Sequence, residues 1–455
     1  MSTWFTYLWD LLKTNFGIIP ALLLLVGIIL GFIFPAIEMQ TDQPIKEWLP
    51  YTLSPDSDTL LMQSMIAILS TVSGVVFSVS MLVIAQASSQ FGPRIIRIFA
   101  NRQITQWTLG AFLGSTLYCL LVLWQIPINE STRSLTPGTV LLGLLAGLTS
   151  LLLLIRYIWA VAEMMQVQVV IRAVSHDLNS SIDRLFPKVR DEDIRRKALE
   201  QKNERAEQID FSESGQPVTV NSRGYIQAIA YNDLAHLATE KNFCVQLMVR
   251  PGDFLTSADT ALYVASQEPI DDGLQSQIAG LFLTGKQRTP RQDVECCIRE
   301  LVEVAVRALS PGINDPHTAM SCIDYLGASL AELARRGEQQ AQFLDEEGKI
   351  RILAPRDGFN EAFVVAFNQI RLYGGSNPVV VLALLKAMLR IARATDQPMH
   401  REAIRREVET LRSIITETWS HAIDREPAMQ WYELVDAALE CDADQKQDED
   451  ETDAA

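Results

Sequence analysis

Residues Phe16 to Phe34 read FGIIPALLLLVGIILGFIF, an uncharged run whose reading decides the fold. Crossing the roughly 30 Å of bilayer hydrocarbon takes about 20 apolar residues in a helix, because a helix satisfies its own backbone groups. The run is long enough to do so. It continues into FPAIEM rather than into a small-residue cleavage site, so it reads as a membrane span and not as a removable leader. Three further runs meet the same test, from about Leu60 to Ala85, Thr108 to Trp124 and Thr139 to Trp159. The expected fold class is membrane α-helical, with four transmembrane helices, plus an α+β cytoplasmic domain that is mainly helical and carries a small β module.

The 455 residues divide unevenly. Nearly all long apolar runs lie before residue 170, whereas the acids behind the net charge of −16 lie mostly after residue 190. Binding to phosphates needs clustered Lys and Arg, so nucleic acid is excluded as a partner and the lipid bilayer is the expected one. The six cysteines, Cys119, Cys244, Cys296, Cys297, Cys322 and Cys441, form no CxxC pair, which argues against zinc and against a disulfide framework. The loop after the second run carries Arg94, Arg97 and Arg102 without an acid, and the loop before it holds one Lys among five acids. Lys and Arg favour the cytoplasmic side, so both termini and the large C-terminal part are predicted cytoplasmic.

Small residues recur at four-residue spacing in three spans: Ser70, Gly74 and Ser78, then Gly110 and Gly114, then Gly143 and Gly147. Such stripes let helices approach closely in lipid, where the hydrophobic effect gives no attraction between them. In the second span the stripe extends over Ala67, Ser70, Gly74, Ser78, Met81, Ala85 and Ser88, one helical face rich in hydroxyls. That face serves either helix packing or the lining of a pathway. No charged residue lies mid-membrane, which weakens a proton-coupled mechanism.

The fourth run continues without Pro or Gly from Ile155 to Phe186, which predicts a helix projecting from the membrane. Ser175, His176 and Asp177 are consecutive on it and point about 100° apart, so they cannot form a catalytic relay. Beyond a charged stretch, PVTVNSRGYIQAIAY and FCVQLMVRPGDFLTSADTALYVAS alternate as strands do, with NDLAHLATEKN helical between them. The PGDFL turn is similar to half of a lipoyl-type barrel, but the modifiable lysine motif is missing, so a structural or dimerising β module is expected. From Thr289 the chain reads as mostly helical, with Thr289 as N-cap, Pro290 in the first turn and Gln292 closing a capping box; Asn377 and Pro378 repeat the cap-and-proline pair. The expected organisation is residues 1–165 transmembrane, 166–210 helical connector, 211–285 β-rich module, 286–435 helical domain and 436–455 acidic tail.

In RALSPGINDPHTA, SPG breaks one amphipathic helix, Asp315 caps the next and Pro316 enters its first turn. Arg307, Asn314 and His317 are not needed for that corner and, with Asp315, form a candidate ligand site or inter-subunit contact. Together with SSQFGPRIIRIF, GYIQ, PGDF and RQDVE, this string resembles a bacterial family of predicted membrane proteins, domain of unknown function 2254, over about Gly17 to Trp419. The resemblance implies a multi-pass protein of a bacterial inner membrane with a membrane region and a cytoplasmic domain, and no activity, substrate or catalytic residue.

Two functions follow: an oligomeric channel-like pore with a regulatory cytoplasmic domain, or a membrane-anchored scaffold or sensor whose spans only anchor and assemble it. A membrane enzyme is third, with Asp293, Glu295, Arg307, Asn314, Asp315 and His317 as the groups to consider. The chain has no HExxH, P-loop, nucleophile elbow or spaced His/Cys set, so no cofactor or metal is expected.

Overall fold

The structure is a computed structural model that describes residues 17–40, 55–91, 103–125, 137–164, 166–188 and 215–440, the last stretch without 221, 268, 337, 338, 340, 346, 356 and 357. Arg94, Arg97 and Arg102, the charged run 189–210, Cys441 and the acidic residues 441–455 lie outside the described residues. The chain forms two compact units, residues 1–170 and 171–455.

Four helices of the first unit are long and apolar enough to cross a membrane: α1 (Ile18–Gln40), α2 (Pro55–Phe91), α3 (Gln103–Trp124) and α4 (Pro137–Met164). Helix α3 is central, packing against α1, α2 and α4. Leu69, Phe112 and Tyr157 fill one part of the interior, and Met62, Tyr118 and Cys119 another. Polar groups inside are paired between helices or with helix backbone. Ser80 Oγ lies 2.7 Å from Tyr157 Oη and Ser115 Oγ 3.1 Å from Ser150 Oγ, while Tyr118 Oη donates to the Thr139 carbonyl at 2.9 Å. Glu38, expected in the acidic loop, instead ends α1 and reaches the first turn of α4. Its carboxylate accepts from Gly138 N at 2.8 Å and Thr139 Oγ1 at 2.9 Å, a negative charge where the helix dipole favours one.

The single helix expected over residues 155–186 is two, because α4 ends at Met164 and α5 begins at Val167. Gln166 N bonds back only three residues, to Glu163 O at 3.1 Å, which tightens and closes the last turn. No Pro or Gly marks this break in the sequence.

The second unit combines two sheets with a group of helices. Strands β1 (Gly215–Thr219), β2 (Gly224–Ile229), β3 (Cys244–Leu247), β4 (Phe254–Leu255), β5 (Thr260–Ala265), β6 (Phe282–Gly285), β7 (Gln342–Leu344) and β8 (Ile350–Leu353) form a five-stranded sheet ordered β1-β5-β3-β8-β7 and a three-stranded one ordered β4-β2-β6. Val218, Val245, Leu262, Val264 and Ile352 bury one core with α6 (Tyr231–Glu240) and α7 (Asp272–Ala279). The sheet expected within residues 211–285 therefore takes two strands from residues 342–353, with β8 parallel to β3.

The helices are α8 (Val294–Ala308), α9 (Pro316–Ala334), α10 (Phe359–Gly374), α11 (Pro378–Ala392), α12 (Pro398–Thr418) and α13 (Ala422–Glu440). Helix α8 does not start at the Thr289 capping box. Asp293 caps it, accepting from Cys296 N at 3.1 Å, and Gln292 is drawn off into the sheet, where its amide accepts from Ile229 N at 2.8 Å and donates to Ile229 O at 3.1 Å. The tertiary bond to the strand backbone outcompetes the local cap. Helix α11 starts as the sequence predicts, with Asn377 accepting from Val379 N and Pro378 in the first turn.

Candidate functional site

The small-residue stripes separate into two kinds. Gly110, Gly114, Gly143 and Gly147 are buried contact points between helices. A Cβ on Gly114 would stand 2.6 Å from the Leu23 carbonyl oxygen, one on Gly110 2.9 Å from Pro20 Cα, one on Gly143 2.7 Å from Met62 Cε and one on Gly147 2.9 Å from Met65 Sδ. Ser70, Gly74 and Ser78 lie on the opposite side of α2 from the interior, in a stripe exposed from Ala67 to Ala85, and a Cβ on Gly74 would meet nothing within 4 Å. Two hydroxyls on this exposed side bond within their own helix: Ser78 Oγ donates to Gly74 O at 2.9 Å and Thr71 Oγ1 to Ala67 O at 2.7 Å.

At the corner between α8 and α9, Asp315 accepts from Thr318 N at 3.1 Å and Thr318 Oγ1 at 2.6 Å, and the Thr318 hydroxyl bond first of all holds its carboxyl below the usual carboxylate range. The loop satisfies its own backbone, with Asp315 N on Ala308 O at 2.7 Å and Asn314 N on Ser310 O at 2.9 Å. Asn314 adopts a left-handed φ of 48°, which Asn tolerates better than most residues. Asn314 and His317 are exposed, and Arg307 pairs with Glu303 one turn back at 3.2 Å. The hydrolytic reading of Ser175 to Asp177 has no geometry behind it: Ser175 is buried, while His176 points into solvent.

Asp293 and Glu295 do not join Arg307, Asn314, Asp315 and His317. They sit at the opposite end of α8, about 18 Å away at 1.5 Å per residue. There they meet cations that sequence reading missed. Arg288 grips Asp293 with two bonds, Nε to Oδ2 at 2.6 Å and Nη2 to Oδ1 at 3.0 Å, and also reaches Glu295 at 3.3 Å. Arg250 and Arg299 reach the same Glu295 at 3.2 and 2.9 Å. Both carboxylates are buried. Burial alone raises the Glu295 pKa, but Arg299, Arg250 and Arg288 outweigh it and hold the group below its ordinary value. For Asp293 burial prevails over Arg288 and pushes the carboxyl up. Gly252 closes over this cluster with a left-handed φ of 97°, and a Cβ there would stand 2.6 Å from Asp293 Oδ2, so glycine is required on both counts.

Three of the quoted strings meet at this place. GYIQ lies on β2, PGDF crosses to it through Gly252 N on Ile226 O at 2.8 Å, and RQDVE is bound to it through Gln292. The signal was present in RPGDF and in KQRTPRQDVE, but only the fold pairs arginines so far apart in sequence. Each carboxylate is held by arginine, so the cluster fastens the segments that follow β3 and β6 to the start of α8. Among the described residues no group of three or more His, Cys, Asp or Glu gathers to hold a metal ion.

Comparison with known proteins agrees with this architecture. The chain is 25% identical over 405 residues to an uncharacterized protein of Mycobacterium tuberculosis (strain H37Rv) and to one of Mycobacterium bovis, covering 88% of this chain and 76% of each relative. No solved structure matches it. The family model described as "Predicted membrane protein (DUF2254)" matches residues 13–390, most of the chain including all four apolar helices and much of the second unit, and the chain belongs to that family.

Proposed function

We propose that the protein assembles with copies of itself in the membrane and forms a channel-like pathway between their α2 helices, with the second unit cytoplasmic and regulatory. The observation that carries this reading is the outward direction of Ser70, Gly74 and Ser78. Elsewhere in the unit, glycines spaced like these serve close helix contacts, whereas among the described residues a Cβ on Gly74 would meet nothing within 4 Å. A second copy is the matching partner, since small hydroxyl-bearing residues gain little from lipid tails and can line a hydrated pathway between facing α2 helices. The interior of one chain is filled by Met62, Leu69, Phe112 and Tyr157, each almost wholly buried, so any pathway runs between chains.

Flux through liposomes holding the purified protein tests it. Solute or ion flux is expected under voltage, tension or ligand, and Ser70→Leu, Gly74→Leu or Ser78→Leu should each abolish it while the oligomer persists. Flux unchanged by all three removes α2 as the lining. The bonds of Ser78 and Thr71 to their own helix favour the second reading, a scaffold or sensor, because those hydroxyls need no water. An intact oligomer without flux under any stimulus identifies that case.

A further inference from the structure

We propose that the cleft between α10 and α12 is a binding site for a free α-amino acid with a bulky apolar side chain. The two helices meet at both ends. Near their starts the ring centroids of Phe359 and His400 are 4.2 Å apart, and toward their other ends a Cβ on Gly375 would stand 3.3 Å from Ile414 Cδ1. Between these contacts lies a cleft of about 500 Å³, within the range that small-molecule sites occupy. Its walls follow the three- and four-residue spacing of facing helix stripes, which ordinarily close on apolar side chains, but here they carry amides and charges.

The polar part is an ion pair with bonding capacity to spare. Arg371 Nε donates to Glu407 Oε1 at 2.8 Å and its Nη2 to Asn368 Oδ1 at 2.7 Å, which uses two of the five guanidinium N–H groups. Glu407 accepts that single bond among the described residues, whereas Glu295 accepts from three arginines. Both members of the pair are largely buried, at 17% and 13% exposure. Burial pushes the Glu407 carboxyl above its ordinary value and Arg371 offsets only part of the rise, so this carboxylate is short of positive charge. Asn360, also on the wall, has a buried amide oxygen that accepts no bond among the described residues, so the seam is incomplete there as well.

Charge sets the class of ligand. Arg371 and Arg406 stand against Glu402 and Glu407, so the lining is neutral and suits neither a lone anion nor a lone cation. An α-amino acid carries a carboxylate beside an ammonium. The first fits the spare N–H groups of Arg371 and the second the open capacity of Glu407, and charge-assisted bonds of this kind are the strong ones. Phe363, Val364, Met399 and Ala403 supply apolar wall for the side chain, and Val364 and Met399 are exposed rather than packed on a neighbour. The site lies within one chain and depends on neither assembly nor flux.

Isothermal titration of the purified full-length protein with leucine, phenylalanine and tryptophan tests this. At least one should bind with a Kd below about 1 mM, and for that one the matching amine without the carboxylate and the matching acid without the ammonium should each bind at least about tenfold more weakly. Glu407→Gln keeps the shape and can keep the Arg371 bond, and it should weaken binding about tenfold or more. Val364→Trp, at an exposed position, should fill the cleft and abolish binding while the unfolding temperature holds. If Glu407→Gln fails to fold, Val364→Trp still decides, because it leaves the ion pair intact. No binding by any of the three amino acids, equal affinity for either half-analogue, or full affinity in either folded variant overturns the proposal.

Discussion

The two units hide polarity by opposite means. Residues 1–170 bury hydroxyls against backbone carbonyls or one another and place their buried carboxylates, Glu38 and Asp58, at helix ends, while glycines bring backbones together. Residues 171–455 bury full charges, three arginines on two carboxylates, and set their helices with side-chain caps and prolines. In lipid an unpaired charge has no water to fall back on, whereas in the second unit the three arginines, only partly exposed, keep some of their hydration. Close approach holds the first unit, and electrostatic closure fastens the second.

Substitutions at five positions test that contrast, in falling order of effect. Arg288→Ala leaves Asp293 buried without its two-bond partner, and losing one member of a buried pair costs about 3–5 kcal/mol. A lowered unfolding temperature of the second unit should report it, and Arg288→Lys should recover only part, since an ammonium cannot make the two-pronged bond. Gly114→Ala forces a methyl against the Leu23 carbonyl and should cost about 1–3 kcal/mol, the usual range for overpacking, whereas Gly74→Ala should stay within about 0.5 kcal/mol. Thermal unfolding of both variants in detergent decides, and equal losses would break the distinction between inward and outward stripes.

Asp315→Ala removes an N-cap worth about 1 kcal/mol. Because the folded state depresses this pKa, the stabilisation is complete above the unfolded value of about 3.9 and is lost as pH falls through the lower folded value. Urea midpoints measured from pH 6 downward should therefore converge for wild type and Asp315→Ala in acid. His317→Ala, at an exposed position, should shift stability by no more than about 0.5 kcal/mol. A loss near that of Asp315→Ala would show that the imidazole holds the corner and is not free for a partner.

The apolar helices were legible because a bilayer imposes one length and one composition, and the runs from Phe16, Leu60, Thr108 and Thr139 fall within α1 to α4 apart from a residue or two at the first start. The Asp315–Pro316 and Asn377–Pro378 starts were legible for a local reason, since caps act within three residues. What depends on distant partners was not. Thr289, Pro290 and Gln292 spell a capping box, yet Ile229 takes the glutamine. QFL and IRIL are too short to announce strands without β3 beside them. Arg250 and Arg288 stand in quoted strings, but their meeting on Glu295 depends on the fold. Of the candidate residues, the sequence showed the spacing of Ser70, Gly74 and Ser78, but the outward direction of that face required the packing of α2 on α3 and α4.

The parallel pairing of β8 with β3 sets an order of events during synthesis. Strands β1, β3 and β5 emerge early and can pair among themselves, but the free edge of β3 stays open until Leu353 has been added. An uncovered strand edge is a template for wrong pairing, and parallel partners distant in sequence close slowly. While α8 and α9 are still being made, the half-built sheet is the vulnerable form of this chain, and slowed translation between residues 266 and 353 should raise its aggregation.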